Sequence, residues 1–273
     1  MRLLVTNEGS FMKHVFVTFA ALCVTGVAYA ADAPPVTQKT DKGEINWSQK
    51  TITVTGSGAF SNTASNAAQA RLMATKAAKM DAQRNLLEAV KGVQVTSGAP
   101  ASKVMATSAV RTKVEGLVKN FDVVDTKYFS DGGVDVIVRM QLDGSLAEAL
   151  IPDAGTKPPK QGAANDTTSL IIDARGLQLE PALAPRIVDE AGKELFSAAT
   201  VQKDKMRESG VCGYATNLDA AKADKRAGAK PLIIKATKRA GSSKSDIVLG
   251  ATDAAQLQNA GYLGEGRLVI VVD

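Results

Sequence analysis

The chain has 273 residues, of which 45% are apolar, 22% charged and only 4% aromatic, and its 33 basic against 28 acidic side chains give a formal charge of +5. This composition excludes a collagen-like or wholly disordered chain, and a mean hydropathy of −0.04 argues against a polytopic membrane protein. There is room for one large domain or two small ones, and no reaction is named.

In chain order, the first thirty residues predict an address rather than a fold. Lys13 and His14 precede the apolar run Val15–Val27, and Ala28-Tyr29-Ala30 places small residues where a signal peptidase reads them. The run is short for a membrane span, so a signal peptide over 1–30 and release into the periplasm are expected. The rival is lipidation at Cys23 with outer-membrane association, but Leu22 stands where a lipidated cysteine wants a small neighbour. Cleavage removes the one histidine, His14, and leaves Cys212 as the single thiol, so no intramolecular disulfide forms.

Residues 31–44, with Pro34 and Pro35, predict a flexible leader. Residues 152–168, with three prolines and two glycines, predict a linker. Between them, 45–151 reads as a first domain. It opens with Trp47 and a strand over Thr51–Thr55, and Gly56 and Gly58 then permit a change of direction. A helix is expected over Ala67–Lys91 with Gly92 as a left-handed cap, burying Ala70, Met73, Ala74, Ala77, Met80 and Leu87. A second is expected over Ala101–Lys119 on the seam Ala106, Val110, Val114 and Leu117. Val134, Val136, Val138, Met140 and Leu142 alternate with polar neighbours, the period of a half-buried strand. Phe121–Phe129 and the turn Ser130-Asp131-Gly132-Gly133 complete a hairpin, and Ser145–Leu150 a closing helix.

In 169–273, strands are expected at Ser169–Asp173, Pro231–Lys235, Ser245–Leu249 and Arg267–Val272. A hairpin is expected about Glu190–Lys193, with helices capped near Asn217 and over Thr252–Ala260. The class is α+β: a small antiparallel sheet covered by helices, followed by a second small αβ domain.

The missing chemistries are as informative. Without histidine, Ser-His-Asp and Cys-His machinery is excluded, and one cysteine holds no cluster. Thr55-Gly56-Ser57-Gly58 completes neither a P-loop nor a dinucleotide fingerprint. Asp122, Asp125, Asp131, Asp135 and Asp143 cluster about the hairpin, so a carboxylate hydrolase or sugar binder is one alternative, although aromatic platforms are scarce. A carrier with an apolar pocket between helices and sheet is another. Asp131–Asp135 lacks the ligand series of a calcium loop. Asp81, Arg84 and Glu88 read as a charge ladder steering helix packing, and Cys212 as a small core residue. No catalytic residue, metal or cofactor is assigned. Lys222, Lys225, Arg226, Lys230, Lys235, Lys238, Arg239 and Lys244 form a basic run that predicts either a solvated face or contact with an anionic envelope glycolipid or an acidic protein; nucleic acid is not expected.

The strand ending Val54-Thr55-Gly56-Ser57-Gly58, the alanine-rich helix through Ala77, Ala78, Ala82 and Arg84 to Leu87 and Gly92, and the strand Val134–Leu142 resemble one family. It is the twenty-kilodalton bacterial outer-membrane lipoprotein family, related to flagellar protein P and to the N-terminal domain of flagellar assembly protein T. The resemblance covers about residues 45–150. It implies an exported, non-catalytic domain that assembles into or onto envelope structures, including rings around the flagellar motor, as a homo-oligomer or with envelope partners. It carries no catalytic residue over.

Overall fold

A computed structural model describes residues 33–142, 144–158 and 166–273. The predicted signal peptide, Cys23 and Asp143 lie outside the described residues, as do residues 159–165 of the predicted linker.

The first half runs β1 (Thr37–Thr40), β2 (Gly43–Asn46), β3 (Thr51–Gly58), α1 (Ala67–Gly92), β4 (Gln94–Thr96), β5 (Ala99–Pro100), α2 (Ala101–Val104), α3 (Ser108–Val118), β6 (Asp122–Tyr128), β7 (Val134–Gln141) and α4 (Gly144–Leu150). Its five-stranded sheet has the order β1-β2-β3-β7-β6 and is antiparallel throughout. The leader expected over 31–44 therefore contains β1 and the start of β2: Thr37–Thr40 pairs with Gly43–Asn46, and Val36 is tied down by Trp47, whose amide donates to its carbonyl at 2.8 Å.

Alternation works as expected on β7, where Val134, Val136, Val138 and Met140 are buried and Arg139 and Gln141 exposed. The packing of α1 is different. Asn66 caps it, its side chain accepting from the Gln69 amide at 2.8 Å, and Gly92 is its last residue rather than a left-handed cap. The buried line is Ala70, Ala74, Ala78, Ala82 and Leu86, while Met73 and Met80 are exposed. The cause lies in the opposing strand. Gly56 and Gly58 belong to β3, paired with Val136 and Val134, and do not turn the chain. A Cβ on Gly56 would lie 2.1 Å from the Ala82 nitrogen, and one on Gly58 2.0 Å from the Ala74 carbonyl oxygen. Helix backbone rests directly on strand backbone, so only alanine fits the contact, and Leu72, Met73 and Met80 are turned out to solvent while Leu86 and Val90 are buried beyond the glycines.

The helix expected over 101–119 is interrupted at Met105–Thr107, where Thr107 and Ser108 favour a new helix start over a continued interior. Its seam shifts to Val114 and Val118; Val110 and Leu117 are half-buried, and Ala106 is exposed.

The second half runs β8 (Ser169–Asp173), β9 (Ile187–Asp189), β10 (Glu194–Phe196), α5 (Lys203–Ser209), β11 (Gly213–Ala215), α6 (Leu218–Ala223), β12 (Pro231–Lys235), β13 (Lys238–Arg239), β14 (Ile247–Leu249), α7 (Ala251–Gln256) and β15 (Leu268–Val271). One sheet, β11-β15-β8-β12, is wholly parallel; the other is β10-β9-β14-β13. Asn217 caps α6 through the Ala220 amide, 2.8 Å away. Asp246, completely buried, accepts from the Arg186 amide (3.1 Å), Nε (3.0 Å) and Nη2 (2.7 Å).

The two halves share one continuous apolar core, and Ala33–Asp273 is a single unit. Backbone bonds cross the seam: the Leu183 amide donates to the Gln94 carbonyl at 2.9 Å and the Ala184 amide to that of Val95 at 2.7 Å. The start of the expected linker is docked, with Ala154 buried and the Lys157 amide bonded to Ala199 at 2.9 Å. Proline and glycine content signals a loop, and here its stretch Ala154–Lys157 lies against the second half.

Candidate functional site

Three places in the fold are candidates for a functional site. The first is the seam between the halves, where Trp47 and Lys50 from the β2–β3 turn meet Cys212 and Tyr214 of the second half. The Trp47 and Tyr214 rings lie edge to face, 5.8 Å apart at 70°. The Tyr214 hydroxyl donates to the Ala182 carbonyl at 2.8 Å and accepts from the Ala182 amide at 2.9 Å. Lys50 holds a left-handed backbone (φ 54°), and its Nζ donates to the Ser209 carbonyl, which also accepts from Arg226 Nη2. Burial pushes the Cys212 thiol up from its ordinary value of 9.0, against the opposing pull of Lys50 and Arg226, and pushes the Tyr214 phenol well above 10.0. The cavity these residues share is about 10 Å³, roughly what a single water needs. Sealed and protonated groups with no space for substrate make a rivet, not a nucleophile, in keeping with the core reading of Cys212.

The second place is the uncovered face of the first sheet, which carries the hairpin carboxylates. Register aligns Lys39, Glu44, Thr53, Arg139 and Asp122 in one row across all five strands, so charges alternate in sign with Thr53 between them. Asp135 accepts from Ser57 Oγ at 2.7 Å, Asp131 from the Gly133 amide at 2.9 Å, and Asp125 from the Thr126 amide at 2.7 Å. A depression of about 440 Å³ on this face is lined by Lys39, Glu44, Thr53, Thr55 and Arg139 among others, and includes no hairpin aspartate and no aromatic ring. These carboxylates shape a turn and a strand edge rather than face one another across a cleft. Among the described residues no group of three or more His, Cys, Asp or Glu is placed to hold a metal ion.

Asp81 has a task that sequence reasoning missed. Beyond Thr55, β3 outruns β2 and its outer backbone groups lose their strand partner. Asp81 of α1 accepts from the Ser57 amide at 3.0 Å, and Asn85, bonded to Asp81, donates to the Thr55 carbonyl at 2.8 Å. The helix thus closes that stretch of sheet edge. Arg84 lies 3.7 Å from Asp81, and Glu88 pairs with Lys91.

The basic run does not converge. Arg226 is half-buried and bonded to Asp224 and Ser209; Lys222, Lys230 and Lys244 face Asp219, Asp166 and Glu180; Arg239 donates to the Gln178 carbonyl. Lys225, Lys235 and Lys238 are exposed in separate places, the turn after α6, β12 and β13. The solvated-face reading fits this scatter.

The third place is β6, the last strand of the first sheet, which pairs only with β7. Val123, Val124, Tyr128 and Phe129 are all large and exposed there, Tyr128 at 56%, with the Arg71 guanidinium stacked 5.3 Å from the Tyr128 ring. The signal for it is the pair Val123-Val124, which breaks the strand's alternation; the register shifts at this point, between Val123 and Asp125.

Compared with known families, residues 169–273 match the family defined by the second domain of Tp0624 from Treponema pallidum. The match starts with the first residue of β8. No curated protein matches the chain.

Proposed function

We propose that this is an exported, non-catalytic protein of the bacterial envelope that works through protein–protein assembly, in the periplasm or against the outer membrane. The observation that carries the reading is β6: seven residues of open strand edge that expose Val123, Val124 and Tyr128, with Phe129 exposed just beyond. An open edge recruits a partner strand through main-chain hydrogen bonds, and its exposed side chains select which strand. The resemblance of residues 45–150 to an envelope lipoprotein family with flagellar relatives supports the setting.

The test is light scattering on the protein purified after export, over a concentration series, with chemical cross-linking in whole cells. Concentration-dependent oligomers or a cross-linked envelope partner are expected. A strict monomer that cross-links to nothing in the envelope overturns the reading. Motility of a deletion strain then separates a flagellar setting from other envelope structures.

A further inference from the structure

The assembly reading leaves the partner open, and the geometry of β6 points to one: a second copy of this chain, its β6 added antiparallel about a two-fold axis at Thr126. We infer this register, which rests on that reading, from three features of the strand.

The first is the direction of the free backbone groups. The Phe129 amide donates to the Gly133 carbonyl at 3.0 Å and the Phe129 carbonyl accepts from Gly132 at 3.1 Å, so Phe129 faces inward to the hairpin. Backbone direction alternates along a strand, so Lys127 and Asp125 also face β7, while Tyr128 and Thr126 present N–H and C=O outward. A two-fold axis at Thr126 lets the two Thr126 residues exchange both hydrogen bonds. The Thr126 amide is presently held by the Asp125 carboxylate, and strand addition substitutes a carbonyl of the second copy.

The second feature is complementarity. In this register Asp125 stands opposite Lys127 of the second copy, twice by symmetry, in a closely spaced non-hydrogen-bonded pair. Both residues project from the uncovered face, as their partners Ile137 and Asp135 on β7 require. Val124 stands opposite Tyr128 of the second copy, so two exposed apolar groups cover each other, 47% and 56% accessible in the single chain. A register centred on Asp125 sets the two Asp125 carboxylates against each other instead. The sequence is self-complementary about Thr126.

The third feature is that the other edges are blunted. β1 carries only polar residues including Lys39; β12 begins with Pro231 and ends with Lys235; β10, β11 and β13 are two or three residues long. β6 is the longest of these edges and exposes Val123, Val124 and Tyr128; its Lys127 is matched in this register by Asp125 of the second copy, and its register shift lies at Val123–Asp125, outside the regular stretch Asp125–Tyr128.

Four variants test the register. Thr126→Cys is expected to form a disulfide-linked dimer under mild oxidation, since the paired Cα atoms of a hydrogen-bonded antiparallel pair lie about 5.5 Å apart, within disulfide reach; Cys212 is buried and does not compete. Thr126→Pro removes an outward amide without touching the β7 ladder, and is expected to raise the dimer dissociation constant about a hundredfold with the circular dichroism spectrum unchanged. Asp125→Lys is expected to raise it about tenfold by creating two like-charge pairs, and the exchange Asp125→Lys with Lys127→Asp is expected to restore it. A dimer that persists in Thr126→Pro and gains no disulfide cross-link in Thr126→Cys overturns the register and leaves the assembly reading standing. A wild-type monomer at every concentration overturns the self-pairing, and the assembly reading then rests on whether a photo-cross-linker at position 124 captures a different envelope protein.

Discussion

The two halves of the molecule bury their sheets in opposite ways. In the first, one face of an antiparallel sheet lies under α1 and the other is open, so β7 reads buried, half-exposed, buried along its length. In the second, the central strands of the parallel sheet are covered on both faces: Leu170, Ile171, Ile172 and all of Leu268–Val271 are inaccessible. The period of two is still present there but hidden. Ile171, Val269 and Val271 pack with Ala221 and Ala227 on the α6 side, whereas Leu170, Ile172, Leu268 and Ile270 belong to the main core. A half-covered sheet keeps free edges and a wet face available for partners; a doubly covered one contributes mass and rigidity.

The sharpest way to break this contrast is at the seat of α1. Gly58→Val forces a branched side chain into a gap where even a Cβ lies 2.0 Å from backbone. A loss of more than about 4 kcal/mol is expected, read by urea unfolding. Wild-type stability in that variant would mean that α1 does not rest on β3. Next, Ile171→Ala, between two covered faces, is expected to destabilise by about 3 kcal/mol, whereas Ile137→Ala on the open face of the first sheet is expected to lose less than about 1 kcal/mol. Equal losses would erase the distinction between the sheets.

These positions also mark how far the sequence can be read. Alternation in β7 is visible because one face meets water, and turn residues reveal the hairpins at 130–133 and 190–193. Continuous apolar runs identify β8, β12 and β15 as strands but are silent on direction, since parallel pairing is decided by partners far along the chain. The region of β1 and the start of β2 passes for a flexible leader because Thr37–Glu44 is wholly polar or glycine and β1 is an edge strand held by pairing, the buried Ile45 and Trp47 coming only after it. The buried face of α1 is hidden for a different reason. Large residues ordinarily point inward, whereas here two glycines on a separate strand dictate an alanine contact. The open edge at β6 is legible only as a flaw in a pattern. The seam contacts of Trp47, Lys50 and Tyr214 have no local signature at all.

The seam itself yields an intermediate effect with a pH signature. Tyr214→Phe leaves the Ala182 amide and carbonyl without their hydroxyl partner and is expected to lower stability by about 2 kcal/mol. Burial raises the folded-state values of Tyr214 and Cys212 above the ordinary 10.0 and 9.0, so the unfolded chain ionises first as pH rises. Their contribution is fully present below about pH 9 and declines above it. Urea midpoints between about pH 8 and 11 are expected to fall in the wild type and to flatten in the Cys212→Ala, Tyr214→Phe double variant, with Tyr262, also raised by burial, supplying the remaining slope. An unchanged slope would mean that the rivet opens to solvent.

The smallest effect expected is at the basic run, and it tests the idea that the second half serves as a scaffold. Lys225, Lys235 and Lys238 are exposed in separate places, so reversing any one to Glu removes no buried partner and is expected to change stability by less than about 0.5 kcal/mol. If these residues only keep the surface solvated, the triple reversal also leaves oligomer size and envelope cross-links as they are. A triple variant that folds normally but loses a cross-link would show that the second half has a docking surface of its own. The division between a partner-seeking first half and a supporting second half would then be wrong, however well the two cores fit it.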